Sequence, residues 1–263
     1  MSNRRDSAFT PKAGTPASRI GTRMRAHRPF VVGLTVWAVE LVVLALALVG
    51  FGLLLVHVLL PAGVGRFDTN VANWFVDQRT PTLNDVTLYA SDLGSTPVVV
   101  GIAVVACVAL AIANRWRQVG FLVAVMTLEF IAFLTATLLV DRTRPDVLRL
   151  DSTPPTSSYP SGHTAASVAL WFGLAVVITS LVRSSVVRAI AWFLAFAVPL
   201  AVGLSRLYRG MHHLSDVIVS LLLGTAALLF ALLATRSAVA AHEARDGTTV
   251  ALPQADQPLE RAS

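Results

Sequence analysis

Three short segments of the chain contain polar residue types that can bind an anion and move a proton. These segments are residues 140–145, 159–163 and 205–216. Arg144 in the first and Arg206 in the third are permanent cations whose planar donor groups suit phosphate oxygens. His163 and His212 are imidazoles, which gain or lose a proton near neutral pH. Together these residue types indicate a phosphate site with acid–base or nucleophilic chemistry.

The second and third segments each lead into a long apolar stretch and are therefore predicted to stand at helix N-termini. Ser161 and Gly162 would bring a hydroxyl, free backbone N–H groups and the positive end of a helix dipole to a bound anion. Asp216 follows His212 by four residues, which places both on one face if this part of the chain is helical. A carboxylate in that position can fix the tautomer of the imidazole.

The elements that position these segments are six apolar stretches. The chain has 263 residues, of which 55% are hydrophobic and 14% charged, and its mean hydropathy is +0.67. A bilayer core needs about 20 apolar residues in a helix, with ~17 as the practical minimum. The stretches that qualify are residues 30–60, 97–113, 119–140, 164–182, 189–205 and 214–234. The sequence therefore predicts an all-α fold, a six-transmembrane-helix bundle.

The net charge of +6 belongs to one end of the chain. Residues 1–28 hold seven basic residues against one acidic residue, and the remainder is balanced. We interpret 1–28 as a disordered basic cytoplasmic tail, 29–235 as the membrane domain and 236–263 as a second disordered cytoplasmic tail. Charge confined to a tail removes the main support for nucleic-acid binding.

The distribution of basic residues also predicts the orientation. With the N-terminus in the cytoplasm, 14 basic residues lie inside and seven outside. Both termini are then cytoplasmic in a multi-pass protein of the cell membrane, and all three polar segments emerge on the outer face. The first outer segment, 61–96, shows two helical apolar patterns, which predict short amphipathic helices along the membrane surface.

Read in order, the three polar segments resemble the signature of the type 2 phosphatidic acid phosphatase superfamily, in its membrane lipid phosphatase branch. The matching blocks are Arg144-Pro145, Pro160-Ser161-Gly162-His163, and Ser205-Arg206 with His212 and Asp216. The resemblance implies metal-independent and cofactor-free hydrolysis of a phosphate ester or anhydride through a phosphohistidine. It further implies His212 as the nucleophile, Asp216 as its orienter and His163 as the acid for the leaving group. The implied phosphate ligands are Arg144, Arg206, Ser161 and Gly162.

One position departs from the pattern of that family. A lysine usually stands seven residues before the arginine of the first block, and here that position is Thr137. We therefore expect Arg142, two residues before Arg144, to supply the missing cation and to bind phosphate.

Several alternatives remain open at this stage. A zinc site built from the histidines and Asp216 is disfavoured, because His212 and His213 are adjacent rather than four residues apart and the arginines would repel a cation. A phosphotransferase would use the same motifs, whereas a lipid-phosphate binder or transporter would not need the histidines. A site at the membrane surface favours a lipid phosphate as substrate, of the phosphatidic acid, phosphatidylglycerol phosphate or polyprenyl diphosphate type. We expect Glu40 and Glu129, which lie inside predicted spans, to pair with neighbouring helices.

Overall fold

The structure, a computed structural model, describes residues 8–152 and 155–247, and all regular elements in these two ranges are helical. In chain order they are α1 (Pro16–Arg23), α2 (Pro29–Leu54), a π-helical segment (Leu55–Val64), α3 (Gly65–Asp77), α4 (Pro81–Asp92), α5 (Thr96–Ile112), α6 (Trp116–Leu139), α7 (Gly162–Leu181), α8 (Ser185–Tyr208) and α9 (Leu214–Arg245). The all-α fold class is confirmed.

Five helical stretches of the described chain are long and apolar enough to cross a membrane. They are the continuous stretch Pro29–Asp77, which begins with α2, and the helices α6, α7, α8 and α9. A sixth crossing is available if α4 and α5, which meet at an angle of 43°, act as one bent span. The six predicted stretches thus correspond to α2 and α5–α9.

The first predicted span ends earlier than the apolar pattern indicates. The pattern continues to residue 60, but regular α-helix stops at Leu54 and the chain proceeds through wider π-helical turns. Pro61 in this segment has no N–H to donate, and Gly63 has a φ of 126°, which a residue with a side chain rarely adopts. The resulting kink separates the membrane helix α2 from α3.

The two short helices expected in the outer segment are present as α3 and α4. On α3, the aromatic side chains of Phe67 and Trp74 are 59% and 56% exposed. The opposite side of the same helix carries Asp68 and Ala72, both buried against the rest of the protein. An acidic side chain therefore points inward from a helix whose apolar side faces outward.

The helix α7 is the most enclosed of the candidate membrane spans and packs against α6, α8 and α9. Its buried face consists mostly of small residues, which allow close approach between helix backbones. At Gly224 on α9, an added Cβ atom would lie 2.5 Å from the Cβ of Val168 on α7. Close contact here sets the position of the N-terminus of α9 relative to that of α7.

The described parts of the two tails differ from the predicted disorder. The N-terminal helix α1 packs against α9, and Phe9 is fully buried with its ring 5.1 Å from that of Phe121. The backbone carbonyl of Ala8 accepts a hydrogen bond from Arg236 at 2.8 Å. The segment is ordered despite its polar composition, because Phe9 is buried and the helix α1 begins at a proline and is capped by Thr15. The helix α9 extends to Arg245, while residues 1–7 and 248–263 lie outside the described ranges.

Candidate active site

A cavity at one end of the bundle is lined by residues of α4, α5, α6, α7 and α8 and of two connecting segments. The C-termini of α6 and α8 and the N-termini of α7 and α9 meet there, joined by residues 140–161 and 209–213. The cavity has a volume of about 730 Å³. Its polar lining residues include Arg144, Asp151, His163, Arg206 and His212. With Gly162, which also lines it, five of the eight sequence-predicted site residues are brought together at the cavity.

His212 is held by a backbone carbonyl. Its Nδ1 lies 2.7 Å from the carbonyl oxygen of Ser158, and its side chain is almost fully buried. Because a carbonyl only accepts, Nδ1 carries the proton, and the lone pair of the neutral ring is on Nε2. This Nε2 atom lies 3.5 Å from Nη1 of Arg144. Burial, followed by the charges of Arg206 and Arg144, lowers the pKa of His212 well below its ordinary value.

Asp216 does not contact His212, so the predicted direct orienting role is wrong. Its Oδ2 accepts a hydrogen bond from Oγ of Ser158 at 2.6 Å and from the backbone N–H of His213 at 2.9 Å. The carboxylate therefore caps α9 and fixes Ser158, whose carbonyl then holds His212. The four-residue spacing does not put the two side chains together because His212 precedes the first residue of α9.

Arg142 lies away from the cavity, and its predicted phosphate contact is wrong. Its Nη1 donates to Asp216 and, at 2.9 Å, to Ser215, while its Nη2 donates to Asp68 at 2.6 Å. Both ends of the guanidinium fork are thus taken by carboxylates in a buried network. The cation expected in place of the lysine at Thr137 is not supplied by Arg142.

Arg144 and Arg206, which the sequence predicted as phosphate ligands, both line the cavity. Arg144 donates to the carbonyl of Met211 at 2.7 Å, and Arg206 donates to Oγ of Ser91 at 2.6 Å and to Asp151 at 2.7 Å. The Nε atoms of both arginines are buried without a hydrogen-bond partner within the described residues. Burial is also the main factor that lowers the pKa of Arg144.

The turn before α7 contributes less to the cavity than predicted. The Oγ atom of Ser161 lies 3.0 Å from Oγ1 of Thr164, and its backbone N–H donates to Ser220 at 2.7 Å. Ser161 therefore has neither its hydroxyl nor its N–H directed at the cavity, contrary to its predicted role as a phosphate ligand. Gly162 does line the cavity, and a Cβ atom there would lie 2.9 Å from the ring of Phe133.

His163 occupies the first turn of α7, where its half-buried side chain lines the cavity. The structure gives its ring nitrogens no hydrogen-bond partner within residues 8–152 and 155–247. The neighbouring positive charges are Arg206 and Arg144, and Asp151 is the nearby negative charge. An unpartnered imidazole at the cavity wall is free to exchange a proton with a bound molecule.

Three residues of the site have no motif that marks them. Asp151 lies in the cavity between two arginines, Ser158 supplies a carbonyl, and Asp68 reaches the network of Arg142 from α3. Only Asp68 could have been identified from the sequence, because it is an acidic residue on the side of α3 away from the aromatic residues Phe67 and Trp74. The role of Ser158 depends on a backbone group, which sequence does not distinguish.

Glu129 and Glu40 do not form the helix-to-helix pairs expected of them. Glu129 lines the deep part of the cavity, beside apolar residues of α5 and α6. Glu40 is 6% exposed, and neither of its carboxyl oxygens has a hydrogen-bond partner in the part of the chain that is described.

Comparison with known proteins shows what these features resemble. The family model described as "PAP2 superfamily" matches residues 117–239, which contain all three motif segments. A solved structure, the "first transmembrane PAP2 type phosphatidylglycerolphosphate phosphatase from Bacillus subtilis", is 20% identical with a TM-score of 0.62 and covers 78% of this chain and 94% of its own. Aquifex aeolicus LpxE is 25% identical with a TM-score of 0.47 and covers 62% of this chain and 93% of its own. A search of curated protein sequences gives no match.

The family model, the fold shared with the Bacillus subtilis structure and the ordered motif blocks agree with one another. Residues 117–239 of the chain are thus similar to the PAP2 superfamily, and its fold is similar to that of the Bacillus subtilis structure.

Proposed function

We propose that this protein hydrolyses a phosphate monoester or diphosphate of a membrane lipid through a phosphohistidine on His212. The observation that carries the proposal is the orientation of His212, whose protonated Nδ1 faces the Ser158 carbonyl while Nε2 lies beside Arg144 at the cavity. A neutral imidazole with its lone pair directed at an anion site is suited to attack phosphorus. The lowered pKa keeps the ring in this form at neutral pH.

In the first step, Arg144 and Arg206 hold the phosphoryl oxygens and neutralise the charge that spreads over them. The Nε2 atom of His212 forms a bond to phosphorus, and the bond from phosphorus to the ester oxygen breaks in line with it. His163 gives a proton to the departing oxygen. The doubly charged substrate itself favours the protonated form of His163 when it binds.

In the second step, water replaces the lipid alcohol. His163, now neutral, takes a proton from that water as its oxygen bonds to phosphorus. The bond between phosphorus and Nε2 of His212 breaks, and inorganic phosphate leaves. Both steps use only side chains of the cavity and water, so we propose that the reaction is independent of metal ions.

The shape of the cavity supports a lipid substrate. Its polar groups lie at the end of the bundle, and it continues between α5 and α6 along Val99, Val100, Phe130 and Phe133. An alkyl chain fits this apolar part while the phosphate stays with the arginines. The Bacillus subtilis protein with the same fold is named as a phosphatidylglycerolphosphate phosphatase, and lipid phosphates of that kind, phosphatidic acid and polyprenyl diphosphates are the candidates.

We further propose that the site faces the outside of the cell membrane and that both termini are cytoplasmic. The distribution of arginines supports this orientation, since most of the described arginines outside the site lie at the opposite end of the bundle.

The test is phosphate release by the purified protein in detergent with EDTA present, using a panel of lipid phosphates. We expect wild type to release phosphate and His212→Ala to lose at least about a thousandfold in kcat, the scale of removing a covalent nucleophile. His57→Ala is the matched control, because this exposed histidine lies in the π-helical segment and does not line the cavity.

Two results would contradict the proposal. The mechanism is wrong if activity requires an added divalent metal, or if His212→Ala retains the rate of the His57→Ala control. A phosphohistidine trapped by acid-free quenching and mapped to residue 212 by mass spectrometry would be direct support.

A further inference from the structure

The cavity contains a carboxylate of the protein itself at the arginines. Oδ2 of Asp151 accepts a hydrogen bond from Nη1 of Arg206 at 2.7 Å, and Oδ1 accepts one from Nε of Arg209 at 2.7 Å. The Asp151 side chain is 20% exposed and lines the same cavity as Arg144 and His212. Each carboxylate oxygen thus serves a different arginine.

Asp151 is charged in this position. Burial opposes its ionisation, but hydrogen bonds and charges from Arg209 and Arg206 lower the pKa of Asp151 below its ordinary value. Arg206 is itself almost fully buried. Because a buried guanidinium without a counter-ion is costly, Asp151 stabilises Arg206 while no other anion is present.

In the proposed function, a substrate phosphate competes with Asp151 for the same guanidinium. In the proposed function Arg206 is a phosphate ligand, and its Nη1 atom is already engaged by Asp151 and Ser91. We propose that Asp151 is a stand-in anion, which occupies the phosphate-binding guanidinium of Arg206 in the empty site and is displaced from it by phosphate. The inference deepens the proposed function by naming a residue that sets the affinity for the phosphate group.

The surrounding contacts allow this exchange without movement of the backbone. The N–H of Leu150 donates to the carbonyl of Arg209 at 3.1 Å, and Nη2 of Arg209 donates to the carbonyl of Leu150 at 3.1 Å. These two bonds fix the chain next to Asp151. Rotation of the Asp151 side chain would release Arg206 while Oδ1 keeps its ion pair with Arg209. The carboxylate would then be paired both with and without bound phosphate.

The experiment measures binding of inorganic phosphate to the full-length protein in detergent, by titration calorimetry and by the shift in thermal unfolding temperature. For Asp151→Asn we expect the Kd for phosphate to fall about tenfold, because a competing charge close to the anion is removed. The unfolding temperature without phosphate should be lower than in wild type, and the rise caused by phosphate should be larger. If Asp151 had only a structural role, Asp151→Asn would lower the unfolding temperature without phosphate but would not enlarge the increase that phosphate causes.

Three further variants sharpen the result. Asp151→Ser is a second neutral variant and should strengthen phosphate binding as Asp151→Asn does. Asp151→Glu keeps the charge and should retain the wild-type Kd. Asp146→Asn is the matched control, since it removes the same charge from an exposed position of the same connecting segment, and it too should retain the wild-type Kd.

The inference is overturned if both neutral variants bind phosphate no more tightly than wild type, or if Asp151→Glu binds it as tightly as Asp151→Asn. Because no turnover is measured, the result is separate from the test of hydrolysis. Tighter phosphate binding by the neutral variants, combined with no lipid phosphatase activity, would support the stand-in anion and contradict the proposed function.

Discussion

At the scale of single residues, the orientation of the proposed nucleophile depends on the backbone rather than on a neighbouring carboxylate. His212 is held by the carbonyl of Ser158, and Asp216 acts on that carbonyl through the Ser158 hydroxyl. Asp216 also shares a buried network with Arg142 and Asp68. We therefore interpret Asp216 as a positioning residue that couples the start of α9 to the segment holding His212.

Asp216→Asn should reduce stability strongly, because it leaves Arg142 with one carboxylate where it had two. Loss of one partner from a buried ion pair costs about 3–5 kcal/mol. We expect a matching fall in the free energy of unfolding and a reduced kcat with little change in KM. Ser158→Ala keeps the carbonyl and should cost less in both respects. Loss of activity in Ser158→Ala as complete as in His212→Ala would contradict this ranking.

The pH dependence should report the electrostatic surroundings of His212. Its lowered pKa means that the ring stays neutral as the pH falls below the ordinary range of histidine, so the acid limb of kcat/KM due to His212 should lie at low pH. Arg144→Gln removes a nearby positive charge, raises the pKa of His212 and should move this limb to higher pH.

That comparison uses one substrate for both proteins, so that ionisation of the substrate phosphate is common to both profiles. Arg144→Gln should lower the rate overall because it also removes a proposed phosphate ligand, but the position of the limb is independent of that loss. An unchanged limb, or one moved to lower pH, would contradict the assigned role of the Arg144 charge.

At the scale of elements, the start of α7 is set by close packing against α6. Gly162 is the first residue of α7, and the ring of Phe133 on α6 lies where a side chain at residue 162 would be. This contact holds His163, the next residue, at the cavity wall. A side chain at residue 162 would force the Phe133 ring to shift, so glycine also serves close packing here, whereas the sequence predicted only a contact with phosphate.

Gly162→Ala should therefore impair activity by displacing α7 or Phe133. Overpacking of this kind typically costs about 1–3 kcal/mol. We expect lower unfolding temperature and lower kcat, with partial recovery of both in the double variant Gly162→Ala with Phe133→Leu. A double variant with the sum of the two single losses would show that the Phe133 contact is not the cause.

The helices and the positions of the motifs could be predicted from the sequence, whereas the contacts between the motifs could not. Helices of membrane length follow from the length of apolar stretches, and Arg144, His163, Arg206 and His212 meet because four consecutive helix ends lie on one side. Arg142 and Arg144 differ by two residues, yet one joins a carboxylate network and the other the cavity. They lie in an irregular segment, whose side-chain directions have no fixed period.

At the scale of the whole molecule, the polar site and the described tails lie at opposite ends of the bundle. The helix α1 packs against the C-terminal turns of α9, whereas the N-terminus of α9 lies beside the cavity. Order in residues 8–28 therefore strengthens the end of the bundle that we propose to be cytoplasmic. The small residues Ala17 and Gly21 make the buried contacts of α1, whereas the basic residues of this segment are exposed.

The orientation can be tested because Cys107 is the only cysteine. In a Cys107→Ser background, Asp146→Cys near the cavity and Arg183→Cys between α7 and α8 are both exposed positions. A membrane-impermeant maleimide added to intact cells should label the first and not the second. The opposite labelling pattern would show that the site faces the cytoplasm.

The match to the PAP2 superfamily begins at residue 117, within α6, whereas the apolar walls of the cavity include residues of α4 and α5. One side of the apolar wall, on α4 and α5, thus lies outside the matched segment, while the other side, on α6, lies within it together with the histidines and arginines of the site. Under the proposed function, substitutions in α4 and α5 would change the accepted chain length or branching while the histidines and arginines stay intact. The preference for a substrate could then evolve on this wall separately from the reaction itself.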